Sequence, residues 1–215
     1  TVVSTGTVTS PGSVISRVVS TTLKIVPPDP SKFQFCVETT GPDLEYKAKN
    51  VENPSGNLVE INSTQAFTDL FGVDMATMKA NSTYFQDTTL PASNTISASG
   101  ITWVDVTQAT AQGDLELSIQ HLNGSGIVVI NGDFSLNGVA GGGGSTFDGI
   151  LYVVGKFEMS GNETINGTVF VESSADIGVD ENELTGSSLV SYNAANIASS
   201  LSALSGKAVV SWKEN

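Results

Sequence analysis

Short segments of alternating or continuous apolar residues, divided by turns rich in Gly, Pro and Ser, run along most of the chain. Such segments predict β-strands, and their number predicts a mainly β protein. Residues 1–62 are predicted to form a β meander, which opens with a hairpin around the Ser-Pro-Gly-Ser turn at residues 10–13. Three further strands are predicted near residues 33–39, 44–51 and 58–61.

Residues 64–81 have the clearest helical pattern in the chain. Their apolar residues recur at spacings of three and four, and Gly72 is expected to divide the segment into two short helices. Asn62 or Ser63 is expected to cap the start of the first helix. Residues 191–204 have a weaker helical pattern, and residues 207–212 are predicted to form a final strand.

An internal repeat predicts the architecture of the middle of the chain. Residues 126–138 align without a gap to residues 149–161, and a weaker third copy begins at Gly167. Each copy is two short strands joined by a bend, and one copy alone cannot bury its apolar face. Copies stacked in register bury a continuous core, so the sequence predicts a short parallel β-helix, or solenoid, over residues 95–190.

Alternation along the strands predicts which side chains face outward. In the second strand of each copy the outward positions are polar: Ser135, Asn137, Glu158 and Ser160. In the first strand the outward positions Val129, Tyr152 and Phe170 are apolar. Another element must therefore cover the first strands, and we expect it to be the 64–81 helical region or the C-terminal segment.

These patterns divide the chain into four segments that we expect to form one compact unit. The segments are a β meander (1–62), a helical insert with a linker (63–94), the parallel β-helix rungs (95–190) and a C-terminal helix and strand (191–215).

The charge balance excludes several classes of function. The chain of 215 residues has 9 basic and 22 acidic residues, and its formal net charge is −13. Such a protein repels phosphate backbones, so we expect no nucleic-acid partner. No run of 18 apolar residues is present, so we expect no membrane span within these residues.

The residues needed for catalysis or for a cysteine-based metal site are scarce. His121 is the only histidine, and no Gly-x-Ser-x-Gly motif surrounds a serine, so we expect no enzyme. Cys36 is the only cysteine, which rules out an intrachain disulfide. Within an alternating apolar segment, Cys36 is expected to be a small side chain on a strand rather than a reactive thiol.

Two loops contain the candidate binding residues. An acidic loop after the third copy contains residues of the type that binds calcium: Asp176, Asp180, Glu181 and Glu183. Their spacing matches no EF-hand, and acidic loops are usually solvated, so we expect no resident cofactor and keep calcium as the candidate ion. A glycine-rich loop between the first two copies is the other candidate, with possible ligand contacts at Gly141, Gly142, Gly143 and Gly144.

Three segments resemble a known family. They are the opening Val3-Ser4-Thr5-Gly6-Thr7-Val8, the repeats at 126–138 and 149–161, and the end Val209-Val210-Ser211-Trp212-Lys213-Glu214. In this order they resemble PilX-like type IV pilus assembly proteins. In that family a "StG" strand follows the pilin helix, glycine-flanked repeats occupy the middle, and a "sWrE" strand ends the chain.

The resemblance implies a non-enzymatic, minor pilin-like role in pilus assembly or surface display, with other pilus proteins as partners. It also implies a periplasmic or cell-surface location and an N-terminal helix that anchors the protein in the inner membrane. Because the chain begins with Thr1, we expect it to be a processed or trimmed piece without that helix.

Three alternatives remain open at this stage. The chain is also compatible with a secreted adhesin or carbohydrate-binding β-helix module, which would use the outward ladder and the glycine-rich loop. Parallel β-helices include polysaccharide lyases, and short β-helix repeats also occur in cytoskeletal polymers of the bactofilin type.

Overall fold

The structure is a computed structural model, and it describes residues 2–10, 13–21, 28–46, 48–54, 56–90, 94–108, 115–138, 144–177 and 187–204. Within these residues the strands are β1 (Val2–Ser10), β2 (Ser13–Thr21), β3 (Val37–Thr39), β4 (Leu44–Tyr46), β5 (Val51–Glu52), β6 (Val59–Glu60), β7 (Thr83–Gln86), β8 (Thr95–Asp105), β9 (Glu116–Ile119), β10 (His121–Asn131), β11 (Asp133–Asn137), β12 (Thr146–Val153), β13 (Phe157–Ser160), β14 (Thr164–Val171), β15 (Ala175–Ile177) and β16 (Leu189–Tyr192). The α-helices are α1 (Phe67–Phe71), α2 (Met75–Ala80) and α3 (Ala194–Ser202), and short 3-10 helices span Pro30–Lys32, Ala48–Asn50 and Asp87–Thr89.

The protein is mainly β, and its body consists of two parallel sheets. Sheet one has nine strands, with the main order β5-β16-β14-β12-β10-β8-β7 and with β3 and β6 attached beside β14. Sheet two has five strands in the order β4-β15-β13-β11-β9. From β8 to β16 the chain alternates between the sheets, so each long strand of sheet one is followed by a short strand of sheet two.

The strand register confirms the alignment of the internal repeat. Gly126 pairs with Gly149 in sheet one, and Phe134 pairs with Phe157 in sheet two, as in the gapless alignment. The third copy is also in register, because Gly149 pairs with Gly167. A further copy begins at Gly100, which pairs with Gly126. The sequence alignment missed this copy.

The N-terminal strands differ from the predicted meander beyond the first hairpin. β1 and β2 form an antiparallel two-stranded sheet of their own, as predicted. In contrast, β3 pairs in parallel with β14, β4 with β15, and β5 with β16. An alternating pattern marks a strand without identifying its partner, and these partners lie more than a hundred residues further along the chain.

The main core lies between the inner faces of the two sheets. It joins sheet-one residues such as Val128 and Leu151 to sheet-two residues such as Phe134 and Phe157, all of them buried. The Phe134 and Phe157 rings stack with their centroids 5.7 Å apart. In-register stacking of like residues therefore builds a continuous core, as expected for repeats that bury their surfaces against each other.

The helices cover the outer face of sheet one. Phe67 of α1 packs edge-on against Tyr152, with ring centroids 4.9 Å apart, and Tyr152 stacks on Phe170. Ile197 and Leu201 of α3 are buried in the same second core. This confirms that the apolar outward positions of sheet one are covered, by both of the elements predicted from the sequence.

Local sequence explains the boundaries of the helices. Gly72 adopts a left-handed φ of 69° at the end of α1, and Asp74 caps α2 by accepting a hydrogen bond from the Thr77 amide. Asn193 caps α3 in the same way. The predicted cap of α1 at Asn62 or Ser63 is not observed, since the capping residue is Ala66. No helix in the described ranges is long and apolar enough to cross a membrane.

Candidate functional site

The predicted calcium ligands are not brought together by the part of the chain that the structure describes. Asp176 lies in β15, paired with Glu158 on one side and Glu45 on the other. Asp180, Glu181 and Glu183 lie outside the described residues. Among the described residues, no group of three or more His, Cys, Asp or Glu side chains is arranged to hold a metal ion.

Most of the predicted glycine-rich binding loop also lies outside the described residues. This applies to Gly141, Gly142 and Gly143, whereas Gly144 is described and exposed. A Cβ atom at Gly144 would lie 1.9 Å from the backbone oxygen of Asn162. Close packing of two backbones therefore accounts for glycine at this position.

A row of buried polar residues lies at one corner between the sheets, where the chain enters sheet one. These residues, which we call the polar corner, each immediately precede a strand of that sheet: Asn50, Ser145, Glu163 and Ser188. The Glu163 side chain is 1% exposed, and its Oε1 atom lies 3.1 Å from Nδ1 of His121. The same oxygen accepts a hydrogen bond from the Ser145 amide. His121 is therefore the side-chain partner of a buried carboxylate, a role that sequence analysis missed.

The polar corner holds two buried oxygens without a partner in the described structure, Oε2 of Glu163 and Oδ1 of Asn50. Asn50 donates through its Nδ2 atom to both oxygens of Ser188. Strand parity is the sequence signal that indicates burial of Glu163, which lies two residues before the inward-facing Ile165.

A second polar cluster surrounds Asp105, where β8 ends. Its carboxylate accepts hydrogen bonds from four side chains: Lys79, Tyr84, Trp103 and Asn131. Burial alone would raise the pKa of Asp105, but these hydrogen bonds outweigh it and lower the pKa to about 2. The cluster ties α2 to sheet one and links strands β7, β8 and β10 of that sheet, and its satisfied donors indicate a structural role.

We expect Asp105→Asn to lower the free energy of unfolding by about 2 kcal/mol at neutral pH, since each unit of pKa shift is worth about 1.4 kcal/mol. The native pKa is below the ordinary value of 3.8, so the carboxylate stabilises the fold above pH 3.8. That contribution is lost as the pH falls from 3.8 through about 2. Urea unfolding of both proteins at pH 7 and pH 2 measures this, and the difference should shrink at pH 2.

The control for this prediction is Glu52→Gln, which changes an exposed carboxylate on β5. It should alter stability by less than about 0.5 kcal/mol, as is usual for surface substitutions. A difference between wild type and Asp105→Asn that is the same at both pH values would contradict the assigned role of the Asp105 carboxylate.

Cys36 is buried in the main core, and its thiol donates to the backbone oxygen of Val190 at 3.0 Å. Burial raises the pKa of the thiol to about 12. A thiol rather than a thiolate is therefore present at neutral pH, which favours the predicted packing role over reactivity.

The outer face of sheet two is the main candidate surface for function. Among the residues that the structure describes there, it carries the carboxylates of Asp43, Glu45, Glu116, Asp133 and Glu158 around one exposed lysine, Lys156. Four of these carboxylates make no hydrogen bond or ion pair with another residue that the structure describes: Asp43, Glu45, Glu116 and Glu158. The described helices lie against sheet one instead. The two sheets therefore present unlike outer faces.

Two shallow grooves lie on this face, one on each side of Lys156. The first is lined by Glu116, Asp133 and Glu158 and has a volume of about 230 Å³. The second is lined by Asp43, Glu45 and Glu158 and has a volume of about 260 Å³. Both are smaller than the cavities of about 300–1,000 Å³ that usually bind small molecules.

The acidic residues of this face are arranged at a cost to stability. Glu116 and Asp133 occupy the same register position on the adjacent strands β9 and β11. Like charges directly opposite each other in neighbouring strands are destabilising. Features that break such a local rule are expected at functional sites, which supports this face as the candidate site.

The predicted outward ladder is observed, with one difference. Glu158 is exposed as expected, but Ser135, which faces the same way, is 1% exposed. Asn137 donates a hydrogen bond of 2.6 Å to the Ser135 hydroxyl.

Comparison of the chain with family models, with curated proteins and with solved structures finds no match.

Proposed function

We propose that this chain is a non-enzymatic structural component of type IV pilus assembly that acts through protein–protein contacts. The observation that carries the contact function is the acidic outer face of sheet two, against which none of the described helices packs. Assignment to pilus assembly rests on the sequence resemblance of the opening, the repeats and the end of the chain. Its location in this proposal is periplasmic or at the cell surface, anchored in the inner membrane by an N-terminal helix.

In the same proposal, the two sheets are the walls of a short parallel β-helix. Strands β8 to β15 supply four successive rungs, each with one strand in sheet one and one in sheet two. The in-register ladders of Gly126 with Gly149 and of Phe134 with Phe157 support this interpretation. A stack of rungs is a stiff support for a contact surface, because each rung packs on both of its neighbours.

Deletion of the gene in its source organism tests the proposed function. We expect the deletion strain to assemble far fewer surface pili, counted by electron microscopy, and the full-length gene to restore them. The complementing copy should carry its native upstream sequence, in which the proposal expects a short basic leader and one apolar helix of about 20 residues. Gln120→Ala, a change at an exposed residue, is the control variant and should complement fully.

Normal pilus numbers in the deletion strain would overturn the proposed function. Loss of binding to a polysaccharide surface in that strain would instead favour the secreted adhesin. Filaments formed by the purified chain alone would favour a polymer of the bactofilin type.

A further inference from the structure

We propose that the outer face of sheet two docks a basic protein surface, whose lysine or arginine side chains enter the two grooves beside Lys156. The proposed function is used only for the idea that the protein works through protein contacts. The new element is the chemistry of the partner, which follows from the charges, grooves and strand register of this face.

Charge complementarity identifies the partner. The described residues of the face present five carboxylates against one lysine, and four of those carboxylates have no partner within the described part of the chain. A second copy of the chain is excluded as the occupant of a twofold interface, because such an interface would place this acidic face against itself. Nucleic acids and anionic membranes are excluded for the same electrostatic reason.

The shape of the face also fits a protein surface. Lys156 stands between the grooves, and Glu158 lines both of them. Each groove is too small for a typical ligand cavity but is open to a single long side chain. A partner with two cationic side chains, one for each side of Lys156, would match this arrangement.

The register of the acidic residues adds an energetic argument. Glu116 and Asp133 lie directly opposite each other on the adjacent strands β9 and β11, so the free protein bears repulsion between like charges. A basic partner relieves that repulsion, and this relief makes the free energy of binding more favourable. Removing the charges should therefore weaken docking and stabilise the free chain, a combination that loss of a structural interaction does not produce.

A lysine-rich β-hairpin peptide is the probe for this proposal. It is titrated into the isotope-labelled chain at low salt, and shifts of the backbone amide signals locate the binding face. We expect the shifts to centre on Glu45, Glu116 and Glu158. In the triple variant Glu45→Gln, Glu116→Gln and Glu158→Gln, the Kd for the peptide should rise at least about tenfold, and thermal unfolding of the free variant should move to higher temperature.

The matched control adds the same amount of charge on the exposed side of α3, through Ala195→Lys, Ala198→Lys and Ser202→Lys. Both triple variants are three charges less negative than the wild type, so a general charge effect would weaken binding equally in both. We expect the control to change the Kd less than about twofold, since its charges lie on another face.

Three outcomes would overturn the proposal: no binding at low salt, shifts centred on another face, or equal loss of affinity in the two triple variants. The result is independent of the pilus count. Intact pili in the deletion strain would remove the proposed function and leave a located peptide site standing, whereas a failed titration would remove this inference alone.

Discussion

Gly126→Ala is expected to lower the free energy of unfolding by about 3–5 kcal/mol, because overpacking and backbone strain act together at this position. Gly126 has a φ of 123°, a backbone angle that residues other than glycine rarely adopt. A Cβ atom there would also lie 2.1 Å from the backbone oxygen of Gly100 in the neighbouring strand. Since that oxygen belongs to the backbone, it can move only if the pairing of β8 with β10 is disturbed. Urea unfolding followed by circular dichroism measures the loss.

Gly56→Ala is the matched control for this prediction. Gly56 also has a positive φ, of 89°, but a Cβ atom there would meet nothing within 4 Å. This variant should therefore show only the conformational cost, about 1 kcal/mol. Similar losses for the two variants would mean that close stacking of the glycines does not matter for stability.

The same stacking explains why the sequence predicted the strand register of the internal repeat. Gly126 and Gly149 coincide in the alignment because each must let a neighbouring backbone approach, and a Cβ at Gly149 would lie 2.0 Å from the Gly126 oxygen. Phe134 and Phe157 coincide because they stack. A requirement that recurs in each copy leaves a repeat in the sequence, and that repeat predicts the register.

Contacts made only once leave no such signal. Val37 pairs with Val169, and nothing in the local sequence of either residue identifies the other as its partner. The copy at Gly100 was missed because a long connection separates its two strands, β8 and β9, so it does not align with the other copies without a gap. The pairing of distant strands was therefore the part of the fold that the sequence could not provide.

The candidate site was predictable in part. Alternation placed Glu158 on the outer face of its strand, which the structure confirms. The gathering of Glu45 and Asp43 beside it depends on β4 joining sheet two, so it could not be derived from the repeat. The predicted calcium loop remains a prediction, because three of its four residues lie outside the described ranges.

His121→Ala is expected to lower the free energy of unfolding by about 2–3 kcal/mol, because it leaves a buried carboxylate without its side-chain hydrogen-bond partner. Glu163 would keep its buried position but lose the only side chain that pairs with it in the described structure. Adding Glu163→Gln to His121→Ala should recover most of the loss, because a neutral amide is far less costly to bury than a lone carboxylate. Urea unfolding of the wild type, both single variants and the double variant gives the coupling energy.

Gln120→Ala, next to His121 but exposed, is the control and should change stability by less than about 0.5 kcal/mol. The recovery in the double variant is the decisive observation, because simple loss of packing around His121 would not be reversed by a change at Glu163. If the two losses merely add, Glu163 and His121 are not coupled. The polar corner would then depend on the hydrogen bonds that join Glu163 to Ser145 and Asn50 to Ser188 rather than on the contact between His121 and Glu163.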